Sequence, residues 1–287
     1  MRRSRSFSVP IALAVVFAGC AAPPPVAAPA APRPAVVSRP CAPSDVAACQ
    51  ADCDAKRWSS CTALAFLYDT GTGVSRDPLR ARALYERACD GGDMHACGNL
   101  GFSYESGVGA AHDQARAVAL YRRACDGGDA HGCGNLGFVY EMGNGAQRDQ
   151  ARAVALYAKG CDAGDAHACG NLGFDYENGA GVTKDQARAV KLYEHACDGG
   201  DLHGCGNLGF VYETGNGLPK DPGRAVALYQ RSCDGGDPHG CANLAAAYET
   251  GTGVAADRAR SIELHRRACG AGAAASCERL KALGEVP

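Results

Sequence analysis

From residue 53 onward the apolar positions of the chain recur as two helical periods, each closed by glycine. In "DMHACGNLGFSYESGVGAAHDQARAVALYRRACDGG", residues 93–128, Cys97, Leu100, Gly101 and Tyr104 stand at i, i+3, i+4 and i+7. That spacing puts them on one face of a helix. Ala117, Leu120, Tyr121 and Ala124 repeat the spacing and predict a second helix. "SGVG" ends the first helix, and Asp113 stands where the second needs an N-cap. Asp77, Asp149, Asp185, Asp221 and Asp257 are its counterparts, and Pro78 and Pro222 occupy the first helical position, which tolerates proline. Each unit is therefore read as two antiparallel helices. A pair this short cannot bury its apolar face alone, so the units must stack.

The period is 36 residues. Cys53, Cys89, Cys125, Cys161, Cys197, Cys233 and Cys269 mark it, and Cys61, Cys97, Cys133, Cys169, Cys205, Cys241 and Cys277 each follow by eight. This predicts an all-α solenoid of antiparallel helix pairs. Gly101, Gly137, Gly173 and Gly209 fall mid-helix, where glycine costs about 1 kcal/mol against alanine. Close helix approach would offset that cost, and Ala65 and Ala245 keep the site small in the outer units.

The stretch "CDGGDAHGC", residues 125–133, joins one unit to the next. In this reading Gly127 supplies a left-handed helix stop and Asp129 caps the following helix. A joint this tight brings its two cysteines within disulfide range, below about 7 Å between Cα atoms. Cys41 and Cys49 are also eight apart and form an eighth candidate pair, although exchange among Cys41, Cys49 and Cys53 is open. Zinc is the competing reading. It favours C-x2-4-C or H-x3-5-H spacing, which does not recur here, so no metal is assigned. Nor does one of many equivalent cysteines stand out as a nucleophile.

"ALYRRACDGGDAHGCGNLGFVYEMGNG" is similar to the Sel-one-like repeat, a relative of the tetratricopeptide repeat, and the paired cysteines resemble those of bacterial cysteine-rich members. The resemblance covers residues 45–284 as six repeats plus a terminal helix. End units depart from it at Trp58 and in "CGAGAAASC", as capping of a stack requires. The resemblance implies a right-handed solenoid whose first helices line a concave surface. By that implication His95, Asn99, Phe102 and Glu105 and their equivalents lie near a groove. The candidate groove set is Asn99, Asn135, Asn171, Asn207, Asn243, His95, His131, His167, His203 and His239. Each has a structural alternative: an inter-repeat hydrogen bond for the asparagines, an exposed first-turn position for the histidines. The phenylalanines can equally be core. Positions 103, 139, 175, 211 and 247 vary within the repeat and are expected to face solvent or a partner.

The N-terminus sets the compartment. "MRRSRSFSVPIALAVVFAGC" reads as a signal peptide over residues 1–19, with Ala18-Gly19-Cys20 resembling a lipobox and Cys20 the lipidated residue. Residues 20–44 are a Pro/Ala-rich tether, and 45–287 the solenoid with a cap helix at each end. The expected location is the periplasm or outer membrane. With 29 basic against 31 acidic residues there is no electrostatic footprint for nucleic acid. The expected protein is a monomeric exported scaffold without cofactor, binding a protein or peptide, or a peptidoglycan-related ligand. Similar cysteine-rich proteins are credited with penicillin binding and weak β-lactamase activity. That stands as the alternative, although no serine is followed three residues later by lysine and no catalytic residue is assigned.

Overall fold

The computed structural model describes residues 45–285. The described residues form fourteen helices in chain order. They are α1 (Val46–Asp54), α2 (Trp58–Thr70), α3 (Pro78–Asp90), α4 (Met94–Ser106), α5 (Gln114–Asp126), α6 (Ala130–Met142) and α7 (Gln150–Asp162). Then follow α8 (Ala166–Asn178), α9 (Gln186–Asp198), α10 (Leu202–Thr214), α11 (Pro222–Asp234), α12 (Pro238–Thr250), α13 (Arg258–Gly270) and α14 (Ala274–Ala282). Twelve of these, α2 to α13, have the same length because the same signals start and stop them. Asp77, Asp113, Asp149, Asp185, Asp221 and Asp257 each accept from the backbone N–H three residues on, capping the odd-numbered helices α3 to α13. Asp93 and Asp129 cap α4 and α6 in the same way, Asp165 caps α8 through the N–H two residues on, and Asp201 and Asp237 cap α10 and α12 through both. The leader, Cys20, Cys41 and the tether lie outside the described residues.

The core is a column of rings. Tyr121, Tyr157, Tyr193 and Tyr229 are fully buried, each against a mid-helix glycine of its partner helix. A Cβ on Gly137 would stand 2.8 Å from the Tyr157 ring, closer than carbon atoms pack, so the glycine is the space the ring occupies. The ring's hydroxyl is not wasted: Tyr193 and Tyr229 donate to Glu177 and Glu213 at 2.7 Å. His265 takes the tyrosine's place in the last unit.

Seven disulfides close the joints: Cys53–Cys61, Cys89–Cys97, Cys125–Cys133, Cys161–Cys169, Cys197–Cys205, Cys233–Cys241 and Cys269–Cys277. Their Cα atoms are 4.4–4.8 Å apart. Cys53 therefore pairs with Cys61, while the Cys41–Cys49 pair falls partly outside the described residues. One detail of the joint differs from the sequence reading. Gly127 has φ −80°, an ordinary right-handed value, and Gly128 has φ +91°. The left-handed residue is the second glycine, and Ala163 and Ala271 can stand at the first position because only Gly164 and Gly272 carry positive φ.

Repeats are also clamped from outside. Arg123 donates to the carbonyl of Cys89 at 2.7 Å, Lys159 to that of Cys125 at 2.7 Å and Arg231 to that of Cys197 at 2.7 Å. Each cation satisfies a carbonyl in the last turn of the preceding unit's helix, where the helix dipole favours positive charge.

Positions 103, 139, 175, 211 and 247 are buried, contrary to expectation. An even-numbered helix packs on its own partner and on the next unit, so its buried arc is wide and takes in this position. The phenylalanines are the reverse: Phe66, Phe102, Phe138, Phe174 and Phe210 are 44–56% exposed and outside the core.

Candidate binding groove

Even-numbered helices of successive units approach one another, from α2–α4 through α10–α12, more closely than the odd-numbered helices do. They therefore line the inner side of the stack. Only a narrow stripe of each stays open. His95, Asn99 and Phe102 at i, i+4 and i+7 form that stripe on α4, and α6, α8 and α10 present the same three residues. Side by side, the stripes make a groove. Its widest part, about 860 Å³, is lined by Phe102, Glu105, His131, Asn135, Phe138 and His167 among others. It continues past Phe174 towards His239 and Asn243, and at the N-terminal end past Phe66 and Thr62. The structure thus brings together all ten predicted groove residues.

The histidines form a ladder with the caps of the following unit. His95 Nδ1 lies 3.1 Å from Asp129, His131 Nδ1 3.5 Å from Asp165, His167 Nδ1 3.0 Å from Asp201 and His203 Nδ1 3.3 Å from Asp237. Neighbouring rings stand 5.9–6.1 Å apart at His95–His131, His167–His203 and His203–His239. Donation of the ring N–H to the aspartate raises the His95 and His167 pKa above the ordinary value, despite partial burial. Burial pushes the Asp129 carboxyl up, but its bonds to His95 and the Gly132 N–H outweigh this and hold it below the usual range. The histidine is therefore the second partner of a buried capping carboxylate, a structural task that spans units.

Sequence reasoning missed what makes room for that carboxylate. A Cβ on Gly134 would stand 2.5 Å from Asp165 Oδ2, and one on Gly170 2.4 Å from Asp201 Oδ2. Glycine three residues after His95, His131, His167 and His203 was the available signal, with Ala242 keeping the position small after His239. In the first unit Thr62 fills that position and donates to Asp93 at 2.7 Å.

Four of the five asparagines do not make the inter-repeat bond offered as their structural explanation. Among the described residues the side chains of Asn99, Asn135, Asn207 and Asn243 have no hydrogen-bond partner, while Asn171 reaches the Tyr157 hydroxyl. Their amides are open to the groove. A second missed cluster lies at the C-terminal end: Ser276 Oγ is 3.1 Å from His265 Nδ1, and Glu249 is 3.8 Å from its Nε2. Ser276 is 1% exposed and His265 5%, so the hydroxyl and the imidazole are sealed in the cap, in the place of the Tyr–Glu bond of inner units, while Glu249 is part-exposed. Among the described residues no group of three or more His, Cys, Asp and Glu side chains could hold a metal ion.

A disulfide-closed α-solenoid with an open inner stripe belongs to the class of helical repeat proteins that work as binding surfaces. The Sel1 repeat profile matches residues 58–93, 95–129, 130–165, 166–201, 203–237 and 238–272. The chain belongs to the Sel1 repeat family. Among solved structures it is similar to a Sel1 repeat protein from Oxalobacter formigenes, with TM-score 0.69 and 26% identity over 79% of this chain and 99% of that one. It is similar to a protective antigen present in uropathogenic Escherichia coli strains, with TM-score 0.65 and 28% identity over 82% of this chain. The match spans half of that antigen's length. The Helicobacter pylori cysteine rich protein B is 31% identical over 48% of this chain and 99% of its own, with TM-score 0.39. No functionally curated protein matches the chain.

Proposed function

We propose that this protein is an exported, lipid-anchored scaffold that binds a partner protein or peptide along the inner stripe of its solenoid. The observation that carries the reading is the row of groove-lining asparagines, four of them without a side-chain partner among the described residues, beside five exposed phenylalanines. Unpartnered amides can pair with a bound backbone, and exposed aromatic rings supply the apolar area that interface centres are built from. Membership of a repeat family whose members act as protein-interaction scaffolds supports it. Seven disulfides suit an extracytoplasmic compartment, and among the described residues no helix is long and apolar enough to cross a membrane. In this proposal residues 1–19 are removed, Cys20 carries lipid, residues 20–44 are the tether and 45–287 the binding domain. The periplasm or outer membrane is its place, and it works as a monomer. A peptidoglycan-derived peptide is a partner of the same kind. No observation favours the β-lactam-hydrolase alternative.

The test is crosslinking in the native envelope with wild type and with Asn135→Ala, Asn171→Ala and Phe138→Ala combined. The expected result is a crosslinked partner lost in the triple variant. Equal capture by both would move the site off the groove. Metabolic labelling with a fatty acid, lost in Cys20→Ser, tests the anchor separately.

A further inference from the structure

Basic and acidic residues are segregated between the two sets of helices. The six even-numbered helices α2 to α12 contain neither lysine nor arginine. Their arginine neighbours sit outside the groove, with Arg116, Arg152, Arg188 and Arg224 laid over Tyr104, Tyr140, Tyr176 and Tyr212 at the seam with the odd-numbered helices. Each even-numbered helix from α4 to α12 carries two carboxylates, the capping aspartate at its start and a glutamate near its end: Glu105, Glu141, Glu177, Glu213 and Glu249, of which Glu105 lines the widest part of the groove. The aspartates at Asp129, Asp165, Asp201 and Asp237 have a histidine as partner. The glutamates of the inner rungs accept only from neutral donors, a tyrosine hydroxyl for each and the Gln186 amide as well for Glu177. Glu249 is the exception, paired with Arg279.

Two features make those glutamates a place for a cation. Each stands in the last turn of its helix, the negative end of the macrodipole, where a carboxylate is disfavoured and a positive charge is stabilising. Each also follows an exposed phenylalanine by three residues, so carboxylate and ring face are neighbours on one helix surface. A lysine or arginine side chain there gains both the ion pair and a cation–π contact. Where neighbouring histidine rings meet along the groove edge, at His95–His131, His167–His203 and His203–His239, their centroids are 5.9–6.1 Å apart, near the rise of about 6.6–6.8 Å for every second residue of an extended chain.

We infer that the occupant of the groove is an extended, cationic segment of a partner protein, whose lysine or arginine side chains sit between the phenylalanine row and Glu105, Glu141, Glu177 and Glu213. This rests on the binding reading above and specifies its ligand. Even with every histidine protonated, an inner rung keeps one unbalanced carboxylate, so an acidic segment or a nucleic acid would meet repulsion throughout.

The test uses the mature full-length chain and three labelled twelve-residue peptides, unstructured and alike except that alternate positions are Lys, Gln or Glu. Anisotropy is read at 50 mM and 200 mM salt. The Lys peptide is expected to bind, the Glu peptide not, and the added salt to weaken binding several-fold. Glu141→Gln with Glu177→Gln, which keeps an acceptor for each tyrosine, should weaken the Lys peptide at least tenfold while leaving the helical circular dichroism unchanged. Phe138→Ala with Phe174→Ala should also weaken it. Equal binding of the Gln and Lys peptides, lost in the phenylalanine variant, would overturn the charge inference and keep the groove. Lys-peptide binding unmoved by both variants would overturn the groove itself, and no binding of the Lys peptide would overturn the inference.

Discussion

His95 on α4 reaches into the next unit: its Nδ1 lies 3.1 Å from Oδ2 of Asp129, the residue that caps α6. The two side chains are 34 positions apart. The contact therefore couples the start of one unit to the start of the next, and His167 with Asp201 does the same further along at 3.0 Å.

That coupling has a pH signature. The His95 and His167 pKa values are raised, so their contribution is complete below the unfolded value of about 6.5 and is lost as pH rises through the folded one. Asp129 is lowered, so its contribution is present above about 3.9 and lost as pH falls through its folded value. The rungs stabilise most between these limits. The variant His95→Ala with His167→Ala should melt below wild type near pH 6, and the gap should shrink by about pH 8.5 as the histidines lose their protons. Thermal melts across that range check it, and a gap that does not change with pH would remove the charge from the explanation.

Asp175 predicts the opposite slope. It is 1% exposed, where the sibling units have Val139 and Val211. Burial and the nearby Glu141 raise its pKa to about 7, although Gln150 donates to its Oδ1 at 2.9 Å. Oδ2 has no partner among the described residues. The folded chain holds this proton up to about pH 7 and the unfolded chain only to about 3.9. Stability from this site therefore falls as pH rises through that window, by at most about 1.4 kcal/mol per pH unit. Asp175→Val should raise the melting temperature by several degrees at pH 8 and by less at pH 5. Lower stability than wild type at pH 8 would show that the carboxylate is tolerated for a reason other than its burial.

Each disulfide closes a loop spanning eight positions. In the chain-entropy model such a loop stabilises by about 2.5 kcal/mol. Cys125→Ser with Cys133→Ser should lower the denaturant midpoint accordingly and open hydrogen exchange first at the α5–α6 joint. In a stack whose units contact only their neighbours, the loss should stay local. Uniform loss of protection along the chain would argue for one cooperative block.

The two residues of the joint should respond differently to substitution. Gly164 has φ +96° with open space around its Cβ position, so Gly164→Ala meets only a backbone penalty, about 1–2 kcal/mol. Ala163→Gly restores the usual pair and should change stability by about 0.5 kcal/mol. Chemical denaturation of both variants checks the order, and equal effects would place the left-handed residue elsewhere.

Helix pairs, caps and cysteine pairing were legible in the sequence because each rests on partners within one turn or one joint. Asp113 caps α5 through the N–H three residues on, and Cys125 meets Cys133 across a three-residue turn. The 36-residue period made each of these visible several times over. What one unit does to the next was not legible. Val139 and Asp175 are buried and Phe138 and Phe174 exposed, yet both sets fit the same helical periodicity. Only the placement of the following unit decides which arc of the helix is covered. The same holds for His95 and Asp129, which become neighbours when α6 packs beside α4. Local spacing determined the elements; stacking determined which faces remain for a partner, because burial in a solenoid is a property of adjacent units and not of any one of them.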